Sequence, residues 1–402
     1  MLKVAMVVPD FRQIQGINAL VMQLYSEHNL FLSLGIELIG PFDCYGLVDV
    51  CVGWSDKTSG SRFRKLLSMI KKTGLYTAFP IQSLLLYLKH VLPAKQAVDS
   101  YITSGCQADI LVFHDCLCAA YYLEQYPDRP EKTVIVSHAS GDPCAQLFSN
   151  RKALLGTFVE TYLRRSAREA FECSGGCIVL CERAKEYVNK NYHVKRMALI
   201  PNGVKDIAGI MKEASSFVTD DLLKVICVAS LIEIKGQDVV IDAVSKLTDI
   251  EKEMIQVSFV GQGEREYYLK KRVQQLGLNN VFFLGERNDV NSLLNEADLF
   301  VLMTRYDNCP MSIVEAMRVG LPIISTPVGA ITEMIEDGSN GYIIAPDALQ
   351  LKGIFSNLIH NKTQLIELSA NSRIKFIQEY SSSRMISRYV EYVNLIMNDT
   401  NA

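Results

Sequence analysis

The stretch DNCPMSIVEAMRVGLPIISTPVG, from Asp307 to Gly329, joins a predicted strand to a predicted helix. The apolar run just before it, Asp298–Met303, has the length of a buried strand, and Met311–Val319 has the apolar spacing of a helix. Pro310 suits the first turn of that helix, where its missing N–H removes no hydrogen bond. A strand that leads directly into a helix is the repeating unit of a parallel, doubly wound sheet.

Short apolar runs and longer amphipathic runs alternate in the same way through the C-terminal half of the chain. The predicted strands are Lys224–Leu231, Val257–Gly261, Val281–Gly285, Asp298–Met303, Leu321–Ser325 and Gly341–Ile344. The predicted helices are Asp238–Leu247, Glu264–Leu276, Val290–Ala297, Met311–Val319 and Ile331–Glu336. The first half is predicted to contain a strand at Lys3–Val8, a turn at Gly16, a helix at Ala19–Ser33, and strands at Asp109–His114, Thr133–Ser137 and Gly176–Cys181.

This alternation predicts an α/β protein of two Rossmann-like, doubly wound domains, and 402 residues suffice for both. The polar segment Ile200–Asp221 is the best candidate for the boundary. We therefore predict an N-terminal domain at 1–203 and a second at 204–380, with a final helix within 381–402 packing back on the first. Ligands bind at the carboxyl ends of the strands in such domains, so two facing domains predict a central cleft.

Composition excludes several classes of protein. Hydrophobic residues make up 49% and charged residues 21% of the chain, which is ordinary for a globular protein. The net charge of −3 argues against binding to nucleic acid. The N-terminal apolar run breaks at Pro9 and resembles no signal peptide, so the sequence predicts a cytoplasmic protein with reduced cysteines. The spacing of Cys173, Cys177 and Cys181 matches no standard zinc site.

The junction between the predicted strand and helix offers groups for a charged, hydroxyl-bearing ligand. Amides of Met311, Ser312 and Ile313 are expected to point out of the helix start, where they and the helix dipole would attract a diphosphate. Glu315 would repel phosphate and more plausibly accepts hydrogen bonds from a neutral diol such as a ribose. Asp307, at the strand end, could bind hydroxyl groups of a sugar. The alternative is that Glu315 is a solvated helix charge and Asp307 a turn residue.

The stretch resembles the signature of the retaining glycosyltransferases with the GT-B fold, in the "group 1" family of nucleotide-sugar enzymes. That signature has an acidic residue, seven residues, Glu-Ala-Met, a Gly-x-Pro and a later Gly-Gly-x-x-Glu. The matching residues are Glu315, Ala316, Met317, Gly320, Pro322, Gly329 and Glu333, followed by Asn340 and Gly341. The resemblance continues in VASLIEIKGQD (228–238), with Lys235 and Gly236, in residues 257–287, with Gly261, Gly263 and Gly285, and in IPNGV (200–204).

The resemblance implies transfer of a sugar from a nucleotide diphosphate sugar with retention at the anomeric carbon. Lys235 and the helix-start amides would stabilise the leaving diphosphate, and the base would lie near 285–287. The implied catalytic residues are Asp307, His138 and Lys235. The implied donor-binding residues are Gly16, Ser230, Lys235, Gly261, Glu286, Arg287, Asn308, Cys309, Pro310, Met311, Ser312 and Glu315. No Asp-x-Asp stands in a metal-binding context, so neither a divalent metal nor another obligatory cofactor is expected.

Four positions depart from the family pattern. Asp307 replaces a Glu that is one methylene longer, and Ser230 stands where many members have Arg before the Lys. Ala330 replaces the second Gly of the Gly-Gly pair, and Gly16 stands alone where a Gly-Gly is usual. His138 matches a family position close to the transferred sugar, and the alternative for it is a structural histidine.

Residues 61–100 carry seven Lys or Arg residues, at positions 62, 64, 65, 71, 72, 89 and 95, against one acid, Asp99. Apolar residues such as Phe63 and Leu66 interleave with these cations. Basic and apolar residues at helical spacing suit a helix on an anionic membrane surface. The alternative is a helix whose apolar face packs on its own domain.

These observations predict a glycosyltransferase that moves a hexose to a saccharide or lipid-linked saccharide acceptor. Surface polysaccharide or glycolipid biosynthesis is the expected setting, with peripheral association at the inner face of the membrane. One alternative is a catalytically weak pseudo-glycosyltransferase that acts as a partner subunit, which the departures at Asp307 and Ser230 keep open. The other is a nucleotide-sugar epimerase on the same fold.

Overall fold

Two six-stranded sheets, each with all of its strands parallel, form the two halves of the protein. The computed structural model describes residues 1–9, 17–39, 78–129, 131–149, 151–207, 209, 214–217 and 221–398. One compact unit comprises residues 1–200 with 386–402, and the other comprises residues 201–385. The predicted α/β class with doubly wound sheets is confirmed. Gly16, residues 61–77 and part of the predicted boundary segment lie outside the described residues.

The N-terminal unit has the strand order β2-β1-β3-β4-β5-β6. Its strands are β1 (Leu2–Val7), β2 (Ile36–Ile39), β3 (Ile110–Phe113), β4 (Lys132–Ser137), β5 (Gly176–Val179) and β6 (Met197–Leu199). Its helices are α1 (Ile17–Ser26), α2 (His28–Ser33), α3 (Phe79–Leu86), a π-helical turn (Tyr87–Val91), α4 (Leu92–Thr103), α5 (Cys116–Gln125), α6 (Ala145–Ser149), α7 (Phe158–Cys173) and α8 (Glu182–Asn191).

The C-terminal unit has the strand order β12-β11-β10-β7-β8-β9. Its strands are β7 (Leu223–Val228), β8 (Ile255–Val260), β9 (Val281–Gly285), β10 (Leu299–Leu302), β11 (Ile323–Ser325) and β12 (Gly341–Ile343). Its helices are α9 (Gln237–Ser245), α10 (Asp249–Glu253), α11 (Glu266–Gln275), α12 (Val290–Glu296), α13 (Met311–Arg318), α14 (Ile331–Met334), α15 (Ala348–His360) and α16 (Thr363–Lys375). The last helix, α17 (Ser382–Met397), contributes its residues from Ile386 onward to the N-terminal unit.

The predicted strands are present, with ends that shift by up to three residues. The predicted helix Ala19–Ser33 is wrong as a single element, because the chain breaks at Glu27 into α1 and α2. The strand predicted at Gly176–Cys181 ends at Val179, since Cys181 caps α8 by accepting a hydrogen bond from the Ala184 amide at 3.4 Å. The edge strands β2 and β6 have no counterpart among the predicted elements.

The middle of the C-terminal sheet is buried on both faces. All four residues of β10 are buried, and β11 is likewise buried along its whole length. Helix α13 buries Ile313, Val314 and Met317. Apolar runs without polar alternation are what a parallel sheet covered by helices requires, which is why these strands could be read from the sequence.

Helix α17 packs directly on the sheet of the N-terminal unit. The Tyr392 hydroxyl lies 2.9 Å from the Cys177 amide and donates to the Arg196 carbonyl at 2.9 Å. Lys132 Nζ donates to the carbonyl of Ile396 at 2.9 Å. A Cβ on Gly176 would collide with the Tyr392 hydroxyl, so a glycine is required where the helix meets β5. None of the helices that the structure describes is both long enough and apolar enough to span a bilayer.

Replacing Tyr392 by Phe should lower the free energy of unfolding by about 1 kcal/mol, because a buried hydroxyl with hydrogen-bond partners is lost. The matched control is Tyr389→Phe on the same helix, since the buried Tyr389 hydroxyl has no partner among the described residues. That variant should be as stable as the natural protein or more stable. Urea unfolding followed by circular dichroism measures both, and equal losses would contradict this account.

Candidate active site

Loops that follow β7 and β10 touch through their main chains at the carboxyl edge of the C-terminal sheet. The Arg305 amide donates to the Ile234 carbonyl at 2.7 Å, and Thr304 Oγ1 donates to the same oxygen at 3.1 Å. Gly236 has φ +68°, and a Cβ at this position would collide with the carbonyl oxygen of Met303. The Lys235-Gly236 pair is therefore held directly against the end of β10.

A third loop, which follows β11, lies against the turn at Asp307. Gly329 has φ +55°, and a Cβ there would collide with the carbonyl oxygens of Asp307 and Asn308. The Ala330 amide donates to the Asn308 carbonyl at 2.5 Å. Ala330 itself has φ −76°, a conformation open to any residue, so the departure from the family's second glycine leaves this backbone unstrained.

The close loops bring together two of the predicted catalytic residues. Lys235 Nζ lies 2.5 Å from Asp307 Oδ2, and the two side chains are 22% and 16% exposed. Asp307 Oδ1 accepts a hydrogen bond from the Asn308 amide at 3.1 Å. This largely shielded ion pair joins residues 72 positions apart in the sequence.

Helix α13 begins beside this ion pair. Pro310 stands at the N-cap position, just before the helix rather than in its first turn, with φ −68° and ψ 116°. The amides of Met311 and Ser312 have no acceptor among the described residues. The expectation that the Ile313 amide is also free is wrong, because it donates to the Pro310 carbonyl at 3.1 Å. Two amides therefore remain for an anion at this helix start.

Asn202, a residue of the IPNGV segment, holds the turn before α13 by a hydrogen bond. Asn202 is buried, and its Nδ2 donates to the carbonyl of Cys309 at 3.0 Å. Cys309 and Asn308 are themselves buried. Asn202 is thus a supporting residue that the sequence analysis did not select, although its IPNGV segment was noted.

Glu315 lies one turn into α13, half-buried, and its carboxylate accepts no hydrogen bond from the described residues. Burial raises the pKa of the Glu315 carboxyl, and the nearby positive charge of Arg318 opposes that rise. The Arg318 guanidinium does not pair with Glu315. It donates instead to the Lys205 carbonyl at 3.1 Å and to Asn291 Oδ1. The site therefore contains a desolvated carboxylate that is unpaired among the described residues.

Other predicted donor-binding residues occupy the rim of the same edge. Ser230 is exposed, and its carbonyl accepts from Gln237 Nε2 at 3.0 Å. Gly261 has φ +130°, and a Cβ there would collide with the Ala229 carbonyl, so this glycine is needed for packing between the loops after β7 and β8.

The two residues predicted near the nucleotide base both have protein partners. Glu286 accepts a hydrogen bond from Gln262 Nε2. Arg287 forms a two-point ion pair with Asp289, at 2.7 and 2.5 Å. Gln262 was not selected from the sequence, because its contact with Glu286 joins the loops after two neighbouring strands, β8 and β9.

His138 belongs to the N-terminal unit, where it directly follows β4. Its Nε2 lies 3.0 Å from Nδ1 of His114, which follows the neighbouring strand β3. Burial lowers the pKa of His138 to about 4.

The described part of the chain contains no group of three or more His, Cys, Asp or Glu side chains arranged to hold a metal ion.

Replacing Glu315 by Gln should stabilise the ligand-free protein by about 1 kcal/mol at pH 7, because an unpaired, desolvated charge is removed. A carboxyl whose pKa is raised on folding destabilises the fold above that raised pKa; this penalty fades as the pH falls through the folded-state pKa and is absent below the pKa of the unfolded chain. The advantage of Glu315→Gln should therefore shrink between pH 7 and pH 4. Denaturant unfolding at several pH values measures it, with the exposed Glu264→Gln as a control that should show no change.

Comparison with known proteins finds one family model that matches the C-terminal part of the chain. Residues 212–375 match the family described as glycosyl transferases group 1. Among curated relatives, the Vi polysaccharide biosynthesis protein VipC/TviE of Salmonella typhi is 38% identical over 86 residues, which are 21% of this chain and 15% of that protein. Matches to the first curated relatives span from 15% to 51% of each relative's length.

Solved structures resemble the whole chain. Sucrose-phosphate synthase from Thermosynechococcus elongatus has a TM-score of 0.72 at 14% identity, with 99% of both chains covered. The Anabaena protein HepE in complex with UDP has a TM-score of 0.66 at 16% identity, with 98% of this chain and 100% of HepE covered. Identities this low show a shared fold only. Residues 212–375 thus match the glycosyl transferases group 1 family, and the chain has the fold of the GT-B glycosyltransferases.

Proposed function

We propose that this chain is a retaining glycosyltransferase that moves a hexose from a nucleotide diphosphate sugar to a saccharide or lipid-linked saccharide acceptor. The observation that carries the proposal is the unpaired, half-buried carboxylate of Glu315, one turn from two free helix-start amides. The Lys235–Asp307 ion pair lies beside the same helix start. This edge of the sheet thus offers separate groups for an anion, for a diol and for a sugar.

Glu315 is the proposed partner of the ribose. A carboxylate accepts hydrogen bonds and donates none when ionised, so it suits two neighbouring hydroxyl groups and disfavours phosphate. No described residue donates to this carboxylate, and burial raises its pKa. A bound ribose would supply the missing donors and favour the ionised form.

The diphosphate is assigned to the Met311 and Ser312 amides together with Lys235. The amides carry the positive end of the helix dipole, and the ammonium group supplies a full charge. These groups would stabilise the charge that develops on the diphosphate as the glycosidic bond breaks. In the absence of donor, Lys235 is engaged by Asp307, so phosphate oxygens must compete for its ammonium group.

Asp307 is assigned to hydroxyl groups of the transferred hexose. Its carboxylate is held at the turn by the Asn308 amide and by Lys235. When Lys235 turns toward the diphosphate, Asp307 gains acceptor capacity for the sugar. Donor binding thus exchanges one internal ion pair for contacts to both halves of the donor. The proposal of retention rests on the family signature around Glu315.

UDP is the proposed nucleotide, because the structural neighbour HepE is described in complex with UDP. A role in surface polysaccharide or glycolipid biosynthesis follows the polysaccharide relative named above. We propose that the unit 201–385 binds the donor and that no divalent metal or other cofactor is needed. His138 is proposed as a contact of the transferred sugar.

A membrane-facing surface is proposed for residues 61–100. In the described part of this segment, Leu84 is 56% exposed and Tyr87 43% exposed, and Lys89 is exposed close to them in the chain. Exposed apolar side chains next to a cation suit the interface of an anionic bilayer. The cations at 62–72 lie outside the described residues.

UDP should raise the melting temperature of the purified chain more than GDP, ADP, CMP or dTDP, and Glu315→Ala should abolish that shift by removing the ribose contact.

The full chain should also release UDP from a UDP-sugar in the presence of an acceptor. Lys235→Ala should slow that release about 100-fold or more, because the charge opposite the leaving diphosphate is lost. Differential scanning fluorimetry and a UDP-release assay measure the two effects.

The exposed Lys246→Ala serves as the control and should leave both readouts unchanged. A melting shift with UDP but no turnover on any UDP-sugar would favour the non-catalytic partner over the enzyme. No shift with any nucleotide would contradict the assignment of the donor site itself.

Reversing the five cations Arg62, Arg64, Lys65, Lys71 and Lys72 to Glu should lower binding to anionic vesicles at least about 100-fold, because each cation near such a surface contributes roughly 1 kcal/mol. Co-sedimentation with phosphatidylglycerol vesicles measures the effect. Neutral phosphatidylcholine vesicles are the control and should bind both proteins weakly. Unchanged sedimentation with the anionic vesicles would contradict the proposed membrane-facing surface.

A further inference from the structure

Two histidines follow two neighbouring strands of the N-terminal sheet and face each other. His114 comes directly after β3 and His138 directly after β4, and these strands pair in parallel. The imidazole rings meet edge to edge, with centroids 5.2 Å apart and planes 26° apart. His114 Nδ1 and His138 Nε2 are separated by 3.0 Å, which is a hydrogen-bond distance.

Both imidazole rings are shielded from water, which favours their neutral form. His114 is only 2% exposed, and His138 is half-buried. Burial lowers the pKa of both imidazoles, and a positive charge on His138 would lower the pKa of His114 further. The carboxylate of the adjacent Asp115 caps α5 by accepting from the Leu117 and Cys118 amides. A hydrogen bond between two neutral imidazoles holds a single proton, so one ring donates and the other accepts.

The orphaned atom of His114 indicates which ring donates. His114 Nε2 is buried and has no partner among the described residues. If His138 were the donor, His114 would have to carry its proton on this Nε2, which would leave a buried N–H unpaired. Buried N–H groups without a partner are rarer in proteins than acceptors without one. The less costly arrangement places the proton on His114 Nδ1, from which it is donated to His138 Nε2.

We propose that His114 is a positioning residue that fixes the ring and the tautomer of His138, so that His138 offers its Nδ1–H as a hydrogen-bond donor to a sugar oxygen. Because its Nε2 already accepts from His114, neutral His138 must carry its own proton on Nδ1. No described residue accepts from that nitrogen, so it is available to a ligand. His138 in this state donates a hydrogen bond and takes up no proton at neutral pH. The sugar as ligand rests on the proposed function, whereas the state of the two rings does not.

The first test reads the tautomers in the free, full-length protein. The chain has only six histidines, so selective ¹⁵N labelling of histidine rings gives a tractable two-bond ¹H–¹⁵N spectrum. At pH 7 both His114 and His138 should show a protonated Nδ1 and an unprotonated Nε2. In His114→Leu, the His138 signals should shift toward the tautomer mixture of a free imidazole. A protonated Nε2 on either ring of the natural protein would overturn the proposal.

The second test separates positioning from a structural role. His114→Leu should weaken binding of UDP-glucose about five-fold, the effect of one neutral hydrogen bond, and leave binding of UDP unchanged. His114→Asn, whose amide can donate in place of Nδ1, should retain most of the affinity for UDP-glucose. The control is His193→Leu at an exposed position, which should alter neither ligand.

Equal weakening of UDP and UDP-glucose by His114→Leu would mean that His114 only supports the fold, and the positioning role would be rejected. If the natural protein bound neither ligand, the proposed function would fail. The spectrum of the free protein would still decide whether His114 fixes the tautomer of His138.

Discussion

Three loops at the carboxyl edge of the C-terminal sheet touch through their main chains, and the candidate site depends on that contact. Gly236 can lie against the carbonyl of Met303, and Gly329 against that of Asp307, only because neither residue has a side chain. At this spacing Lys235 reaches Asp307, and α13 begins beside both. The chemistry of the edge is therefore set by close backbone packing.

The central strands could be predicted because a parallel sheet buried on both faces makes each of them a continuous apolar run. The two edge strands of the N-terminal sheet could not: Ile36–Ile39 alternates buried and half-buried residues, and Met197–Leu199 is half-buried throughout. The family signature selected Lys235, Asp307 and Glu315, but not which of them pair. The Lys235–Asp307 contact exists because β7 and β10 are neighbours in the sheet, a strand order that neither local segment encodes. His114 was missed for the same reason.

The two acidic residues of the signature are treated in opposite ways by the protein. Asp307 is matched by a cation and a backbone amide, whereas Glu315 is desolvated and has no donor within the part of the chain that the structure describes. Arg318, the cation on the same helix as Glu315, instead donates hydrogen bonds to the Lys205 carbonyl and to Asn291. Folded proteins tolerate such an unpaired group mainly where a ligand completes it. The ligand-free protein is thus less stable than a variant without this charge would be, and the carboxylate is available to a ligand.

Helix α17 also bears on the order in which the chain can fold during its synthesis. Domains usually fold as units, with N-terminal ones completed first as the chain emerges. Here the N-terminal unit includes residues 386–402, and Tyr392 reaches the Cys177 amide across 215 positions of sequence. The unit 201–385, in contrast, is contiguous. The ribosome therefore releases every residue of the second unit before the first can bury its last helix, and a fragment that stops at residue 200 lacks part of its own core.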